Sequence, residues 1–195
     1  MAFRIVLILV EGEDDERFFN SVVRPKLAPT YDYVQIEQYS EATKGALNNI
    51  LYDYYALNAA GEVQADTILV ADLNASPCVT DRKERLRRGY RSLSGATGTP
   101  VGPHLSTRIF VVCREIESWY LAGLSDTECQ RLGIASGSKD TDHLTKEQFL
   151  GLMPHRFSSR AEFMLEILRV FDHETALSKN SSFRYLMQNF GTEIG

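Results

Sequence analysis

The stretch that decides the fold is residues 3–19, FRIVLILVEGEDDERFF. Its first part, Phe3–Val10, is rich in Ile, Val and Leu and lacks the polar alternation of a half-exposed strand. Strands that helices cover on both faces have this composition. The acidic residues that follow lead into Phe18 and Phe19, the first apolar positions of a helical pattern. The stretch therefore predicts a buried strand followed directly by a helix, which is the repeating unit of a parallel α/β sheet.

Two later apolar runs, Thr67–Ala71 and Thr107–Cys113, have the same character as the first. The run Tyr33–Tyr39 alternates more and is predicted as a strand nearer an edge of the sheet. Because helical patterns separate these runs, the sequence predicts an α/β fold with a mostly parallel sheet and helices on both faces. The part of the chain after the last strand is predicted to be helical.

Helical patterns are recognised by apolar residues at helical spacing and by cap or breaker residues at the ends. Pro25 is predicted to end the first helix, and Thr80 or Asp81 is predicted to cap the charged helix that follows the second buried strand. The predicted helices are Asp14–Arg24, Thr43–Ala60, Thr80–Leu93, Lys146–Met153, Arg160–Phe171 and Ser182–Phe190.

A chain of 195 residues is expected to form one domain. We predict a core over about residues 1–124 and a helical C-terminal extension over about residues 143–195. Two polar segments that contain Gly and Ser, Ser94–Ser106 and Ser125–Asp142, are predicted as loops. The first is interpreted as a lid or a variable insertion rather than a domain boundary.

The composition is that of an ordinary globular protein, with 44% hydrophobic and 24% charged residues. The apolar run Ile5–Val10 is too short to cross a membrane and no cleavage site follows it, so a cytoplasmic protein without a membrane partner is expected. Three cysteines without CxxC spacing make structural zinc and a disulfide framework unexpected. The net charge of −5 argues against a coat protein of nucleic acid, but not against an enzyme with a local basic groove.

Acidic residues follow each of the three most apolar runs. Glu11 follows the first, Asp72 the second, and Glu115 and Glu117 the third. Because the carboxyl ends of parallel strands form one edge of a sheet, we expect these carboxylates in one small volume. Their mutual repulsion would be relieved by a hard divalent cation such as Mg²⁺ or Mn²⁺, which prefers oxygen ligands.

Each acidic residue also has a plainer interpretation. The acids around Glu11 could complement the positive end of a helix, and Asp72 could be a turn or cap residue. Glu115 and Glu117 are two apart, so a regular helix would direct them to different sides. Ile116, Trp119 and Tyr120 have helical spacing, which is more typical of core packing than of ligand stacking. Three acidic strand ends together favour the metal interpretation over these.

Basic residues are concentrated just beyond the Asp72 strand, in a protein that is otherwise acidic. A solvated charged face is the usual meaning of such a run, and contact with the phosphates of a nucleic acid is the alternative. The basic residues counted toward a nucleic-acid surface are Arg82, Lys83, Arg85, Arg87, Arg88, Arg91 and, beside the third acidic group, Arg114.

Four short motifs, taken in order, resemble Toprim domains, most closely the OLD-type (overcoming lysogenization defect) nuclease branch and its small uncharacterised relatives. LVEGEDDERFF (9–19) resembles the opening Toprim motif, and VADLN (70–74) resembles the second, which is normally Asp-x-Asp. REIESWYLA (114–122) is similar to a third acidic motif of that branch, and SKNSSF (178–183) to the tail of the small relatives. The resemblance covers most of the predicted core.

The resemblance implies roles for particular residues. Glu11 and Asp72 would be primary metal ligands and catalytic residues, with Asp15 in support. Glu117 and Glu115 would complete a second metal position. The role of the late lysine that the branch places near the scissile phosphate would fall to Lys179, which without the resemblance is interpreted as a surface residue.

Asn74 departs from the family pattern, because the family usually has Asp there. An amide oxygen can coordinate metal but brings no charge, so one metal site is expected to be weaker, and two-metal catalysis is put in doubt.

The preferred hypothesis is a metal-dependent nuclease acting on DNA or RNA. The chain has no GxxxxGK[ST] motif, so the resemblance implies a separate ATPase partner, and it also implies a role in phage defence. A non-catalytic module that binds metal or nucleic acid for a partner complex is the first alternative, and a phosphatase acting on nucleotides or small phosphoesters is the second. The oligomeric state stays open, with a homodimer among the options.

Overall fold

The protein has an α/β fold built on one four-stranded parallel sheet, with strand order β2-β1-β3-β4. The strands are β1 (Phe3–Val10), β2 (Tyr33–Gln38), β3 (Val63–Asp72) and β4 (Ile109–Val112). The structure is a computed structural model that describes residues 3–39, 53, 56, 57, 61, 63–97, 108–135 and 139–190.

The central strand β1 confirms the prediction made from its apolar sequence. It pairs in parallel with β2 from Ile5 to Val10 and with β3 from Phe3 to Leu9. Its residues from Val6 onward are 0% exposed, as expected of a strand that is covered on both faces. The more alternating β2 lies at an end of the strand order, also as predicted.

Nine α-helices and one π-helical segment are described. The helices of the C-terminal part are confirmed within two residues at each end, and a further helix there was not predicted. The nine helices are α1 (Glu13–Phe18), α2 (Arg24–Leu27), α3 (Val79–Thr97), α4 (Glu117–Ala122), α5 (Asp126–Leu132), α6 (Lys146–Leu152), α7 (Arg160–Arg169), α8 (His173–Lys179) and α9 (Ser181–Asn189), and the π segment Phe19–Val23 lies between α1 and α2.

The prediction that Pro25 ends the first helix was wrong. The helical chain runs on through the π segment into α2, where Pro25 lies in the first turn. Proline lacks an amide hydrogen and its ring crowds the carbonyl four residues earlier. A π segment relieves such crowding because it widens the turn and displaces the hydrogen bonds.

The charged helix is longer than predicted. It begins at Val79, so Thr80 and Asp81 lie in its first turn and are not its cap. Instead, the Asp81 amide donates a hydrogen bond to the Cys78 sulfur at 3.5 Å, and the Arg82 amide donates to the Cys78 carbonyl at 3.1 Å. The helix continues to Thr97, so the first residues of the predicted loop 94–106 are helical. The rest of that loop and most of the predicted helix Thr43–Ala60 lie outside the described residues.

The second predicted loop contains α5. Ser125 caps this helix by accepting a hydrogen bond from the Glu128 amide at 3.2 Å, and Gly133 ends it with a left-handed φ of 79°. Both are standard helix boundary signals. The segment was predicted as a loop because α5 is short and mostly polar, which weakens the apolar periodicity.

The chain divides into two compact units, which we call the sheet unit (residues 1–71 and 75–111) and the helical unit (residues 72–74 and 112–195). The core of the helical unit is aromatic: the rings of Trp119 and Phe183 meet edge to face with centroids 5.4 Å apart. A side chain at Gly123 would overlap the Phe171 ring, at 2.2 Å for its nearest atom. A single domain with a C-terminal extension stays a prediction.

No helix in the described part of the chain is long and apolar enough to span a membrane.

Candidate metal centre

Glu11 is the first residue after the central strand β1. Its Oε1 atom accepts a hydrogen bond from the Tyr39 hydroxyl at 3.1 Å and forms an ion pair with the Arg82 guanidinium. The Tyr39 hydroxyl also lies 3.4 Å from the Val70 carbonyl oxygen. The side chains of Glu11 and Arg82 are 25% and 17% exposed. A neutral donor and a cation therefore hold one carboxylate oxygen at a place that solvent reaches.

The acids that follow Glu11 fill the first turn of α1. Negative charge is favourable there because the helix N-terminus carries a partial positive charge. Asp14 also pairs with Arg17 along the helix, whereas Asp15 is only 5% exposed. The location of these acids in the first turn supports the interpretation that they stabilise the helix. The supporting ligand role of Asp15 stays a prediction.

Asp72 is the last residue of β3 and is half-buried. The chain then turns, with the Leu73 amide donating to the Val112 carbonyl at 3.0 Å. Asn74 is exposed and has a left-handed φ of 50°. Asparagine adopts this conformation more readily than most residues. The left-handed backbone at position 74 thus favours asparagine, the residue at which the sequence differs from the Toprim motif.

Arg114 lies in the turn after β4 and is exposed, with a left-handed φ of 70°. This conformation costs arginine on the order of 1 kcal/mol. Its predicted contact with nucleic acid stays a prediction.

Glu115 and Glu117, the predicted second metal position, are both engaged within the helical unit. Glu115 accepts a hydrogen bond from the Lys146 amide, at the start of α6. Glu117 is 3% exposed, and its Oε1 lies 2.9 Å from Arg160, the first residue of α7. Burial raises the pKa of Glu117, while its own backbone amide and the charge of Arg160 partly offset that rise. The two carboxylates thus link the β4–α4 turn to the first turns of two helices.

Lys179 is the last residue of α8. Its ammonium group donates to the Leu124 carbonyl, which lies just after α4. A lysine at a helix C-terminus is also favoured by the helix dipole. This structural contact supports neither the catalytic role nor a freely solvated side chain.

Asn180, the next residue, is fully buried and caps α9. Its amide nitrogen donates to the hydroxyls of Ser118 and Thr141 at 3.3 and 3.1 Å. Its oxygen accepts from the Ser182 hydroxyl at 2.8 Å and from the Phe183 amide at 2.9 Å. A buried side chain amide with this many partners is costly to replace.

The Ser182 hydroxyl extends this network to the chain around the third acidic motif. It accepts hydrogen bonds from the Trp119 ring nitrogen at 2.8 Å and from the Cys113 amide at 3.2 Å. The motif SKNSSF is therefore an internal anchor for the β4–α4 segment of the helical unit.

The basic run on α3 is partly neutralised by the helix itself. Arg85 pairs with Asp81 at 2.7 Å, and Arg87 pairs with Glu84 one turn away. Burial and the neighbouring Arg87 lower the pKa of Lys83. Arg88 is exposed, and the side chain of Arg91 lies outside the described part. Arg82 differs from the paired residues because its partner, Glu11, lies outside the helix.

Two residues at these carboxylates were not found from the sequence. Tyr39 was assigned only as the end of a strand, and Arg160 only as the start of a helix. The only sequence signal for these two residues was their position at the end of a predicted strand and at the start of a predicted helix. Their partners lie 28 and 43 residues away in the sequence, which no local pattern reveals.

The donor set fits a metal ion unequally. Glu11 is a solvent-reachable oxygen donor, although Arg82 and Tyr39 already contact one of its oxygens, whereas Glu117 is buried in an ion pair. Among the described residues, no group of three or more His, Cys, Asp or Glu side chains is arranged to hold a metal ion.

Comparison with known proteins gave no relative. No protein-family model matches the chain. No curated protein and no solved structure matches it significantly. The likeness to Toprim domains therefore rests on the four sequence motifs alone.

Proposed function

We propose that this protein is a metal-dependent phosphodiester hydrolase of Toprim type that acts on DNA or RNA. The observation that carries the proposal is the place of Glu11: a reachable carboxylate, directly after the central strand of a parallel sheet, held by a cation. Ligands of open parallel sheets bind beyond the carboxyl ends of the strands.

The other strand ends support the same proposal. Asp72 closes β3, and Glu115 follows β4 after a short turn, so three of the four strands lead into an acid. These strands are parallel, which was the premise of the expectation. Glu11 and Asp72 are each tested by a substitution of their own.

Bound Mg²⁺ or Mn²⁺ would polarise the phosphoryl oxygens and lower the pKa of an attacking water. The Toprim resemblance gives Glu11 and Asp72 the role of metal ligands, and Tyr39 would orient Glu11 through its hydroxyl. Arg88 and Arg114, which are exposed, would contact the phosphate backbone.

The first test is calorimetric titration of Mn²⁺ into the wild type, Glu11→Ala and Asp72→Ala, each checked for folding by circular dichroism. Glu13→Ala is the matched control, because Glu13 is an exposed acid close to Glu11 in the chain. We expect the wild type and the control to bind Mn²⁺ and both test variants to lose binding. Cleavage of labelled DNA and RNA with Mn²⁺ or Mg²⁺ then tests the hydrolase. Equal binding by all four proteins, or none by the wild type even with an oligonucleotide, would contradict the proposal.

The engagement of Glu115 and Glu117 in contacts with α6 and α7 favours a second candidate, a non-catalytic module that binds one metal or nucleic acid for a partner complex. Such a module needs Glu11 but not a second metal position. Metal binding without cleavage of any substrate, and with a stoichiometry of one, would favour this candidate.

The Toprim resemblance carries two further proposals, a separate ATPase partner and a role in phage defence. Co-purification of the chain with an ATPase from its own cells is the measurement for the first.

A further inference from the structure

Arg4, the second residue of β1, has a guanidinium group with two orphaned donors. Its Nε and Nη2 atoms are both buried, and neither has a hydrogen-bond partner among the residues that the structure describes. These two nitrogens form one edge of the guanidinium, the fork that donates to two oxygens of the same anion. Buried donors are rarely left without an acceptor, because they lose their hydrogen bonds to water and gain none. The Arg4 fork therefore calls for an acceptor.

Two aspartates of the sheet unit near Arg4 have other partners. Asp32 accepts a hydrogen bond from the backbone amide of Arg4 at 2.8 Å, not from its side chain. Asp66 lies opposite the strand position two residues after Arg4, so Asp66 and Arg4 share one face of the sheet. One Asp66 oxygen accepts from the Tyr31 hydroxyl at 2.8 Å, and the other lies 3.4 Å from Arg108. Neither aspartate forms an ion pair with Arg4.

Tyr31 holds the Arg4 guanidinium in place. The guanidinium carbon lies 5.0 Å from the centroid of the Tyr31 ring, within the range of a cation–π contact. Tyr31 is 3% exposed, and its hydroxyl is fixed by the hydrogen bond to Asp66. Burial and the neighbouring Asp66 raise the pKa of Tyr31, so the hydroxyl stays protonated and continues to donate. A guanidinium stacked in this way is preorganised and loses little freedom when an anion binds at its edge.

The charges around Tyr31 favour a singly charged anion. Arg4 and Arg108 contribute two positive charges, and Asp66 contributes one negative charge. Asp32 is exposed, so water screens its charge. A carboxylate balances the remaining positive charge and has two coplanar oxygens that match the fork. A phosphate monoester carries up to two negative charges and would leave the cluster negative.

We propose that Arg4 binds a carboxylate group of a small ligand at the amino ends of the strands, with Nε and Nη2 donating to its two oxygens. Arg4 is partly exposed and its neighbour Phe3 is exposed, so the fork lies close beneath the surface. Glu11 follows the carboxyl end of the same strand, on the order of 20 Å away at the usual rise per residue. The carboxylate site is therefore separate from the candidate metal centre and does not depend on the proposed function.

The test is an NMR titration of isotope-labelled protein with sodium acetate, the probe for a carboxylate, at an ionic strength held constant with sodium chloride. Inorganic phosphate is the competing probe. The proteins are the wild type, Arg4→Lys, Asp66→Asn and Arg85→Gln. The last is the control, because Arg85 is a surface arginine of the same unit that pairs with Asp81. Backbone amide signals of β1 report binding in every protein and show whether each variant is folded.

We expect saturable acetate-dependent shifts of the β1 amide signals in the wild type, with the same affinity in Arg85→Gln. Arg4→Lys keeps the charge but loses the fork, so it should bind acetate about tenfold more weakly. Asp66→Asn removes a negative charge from the cluster and keeps an oxygen for the Tyr31 hydroxyl. It should bind acetate about fivefold more tightly, an effect that a purely structural role of Arg4 would not produce.

The absence of a saturable shift in the wild type would overturn the inference and leave water as the acceptor of the fork. Equal affinity in the wild type and in folded Arg4→Lys, or weaker binding by Asp66→Asn, would also overturn it. If Arg4→Lys does not fold, the wild type and Asp66→Asn still decide. Tighter binding of phosphate than of acetate would overturn the assignment of a carboxylate. None of these outcomes concerns metal binding at Glu11, so the proposed function is tested separately.

Discussion

Each unit of the molecule contains a glutamate paired with an arginine, and the two pairs differ in solvent access. In the sheet unit, Glu11 and Arg82 are both partly exposed. In the helical unit, Glu117 is 4% exposed at its side chain while Arg160 is 31% exposed. Burial raises the pKa of Glu117, so its charged form depends on its partner.

The difference indicates what each pair can do. A solvent-reachable ion pair contributes little to stability and can exchange partners, because water and ions compete for both charges. A buried carboxylate that loses its cation is left with an unfavourable charge. We therefore infer that the Glu11–Arg82 pair can exchange its partners and that the Glu117–Arg160 pair has a structural role. The sequence predicted metal ligation for both glutamates.

The largest expected effect concerns Asn180, which anchors the segment that contains Glu117. Asn180→Ala should lower the free energy of unfolding by about 3 kcal/mol, because several buried groups lose their hydrogen-bond partner. Urea denaturation measures the change. Asn189→Ala, near the end of the same helix, removes one bond to the Tyr185 carbonyl and should cost less than about 1 kcal/mol. Equal losses in the two variants would show that the network is not the anchor.

Removing the cation of the buried pair comes next. Arg160→Met keeps most of the apolar stem, and we expect it to lower the free energy of unfolding by roughly 2 kcal/mol at neutral pH. The matched control is Arg169→Met on the same helix, where Arg169 is 71% exposed and pairs with Glu166. That substitution should change stability by less than about 0.5 kcal/mol. If both cost the same, the Glu117 pair is no more structural than a surface pair.

A smaller effect is expected from pH. Because the folded-state pKa of Glu117 lies above its ordinary value of 4.5, the unfolded chain ionises first as the pH rises. The contribution of Glu117 is therefore fully present below pH 4.5 and is lost as the pH rises through the folded-state pKa. Glu117→Gln should remove this fall, so its stability relative to the wild type should increase with pH. Thermal unfolding over an acidic-to-neutral series measures it, with Glu166→Gln as the control.

The smallest effect is expected at the exchangeable pair. Arg82→Gln should lower the free energy of unfolding by about 0.5 kcal/mol, similar to Arg85→Gln, because both pairs are reached by solvent. Chemical denaturation of the two variants measures this. A loss above about 2 kcal/mol in Arg82→Gln alone would mean that the pair is structural, and the comparison between the two units would no longer hold.

Three strands could be predicted because each contains a short apolar run, and β2 could be predicted from its alternating pattern. Strand β1 was placed to the residue, whereas β3 begins four residues before its predicted run, at Val63. The acidic ends followed from the same pattern. The ionic partners could not be predicted, because Arg82 lies 71 residues from Glu11 and Arg160 lies 43 residues from Glu117. Both arginines are on helix surfaces, where local sequence does not distinguish a solvated charge from a paired one.

The helices α5 and α8 were missed for a different reason. Each has only seven residues, of which two are apolar, so no apolar face shows a period. The equally short α6 was predicted because its sequence, KEQFLGL, contains three large apolar residues. Their caps were visible: Ser125 precedes Glu128 by three residues, and Asp172 stands at the same distance before Thr175. In such short helices, the capping residue carries more information than the periodicity.

Trp119 gives the buried network a practical value. It is the one tryptophan of the chain, it is 1% exposed, and its ring nitrogen donates to Ser182. Its fluorescence therefore reports on the helical unit and not on the sheet unit. A red shift of the emission as denaturant is added would follow the opening of this one unit, while far-ultraviolet dichroism follows both. The two signals together would show whether the units unfold in one step or in sequence.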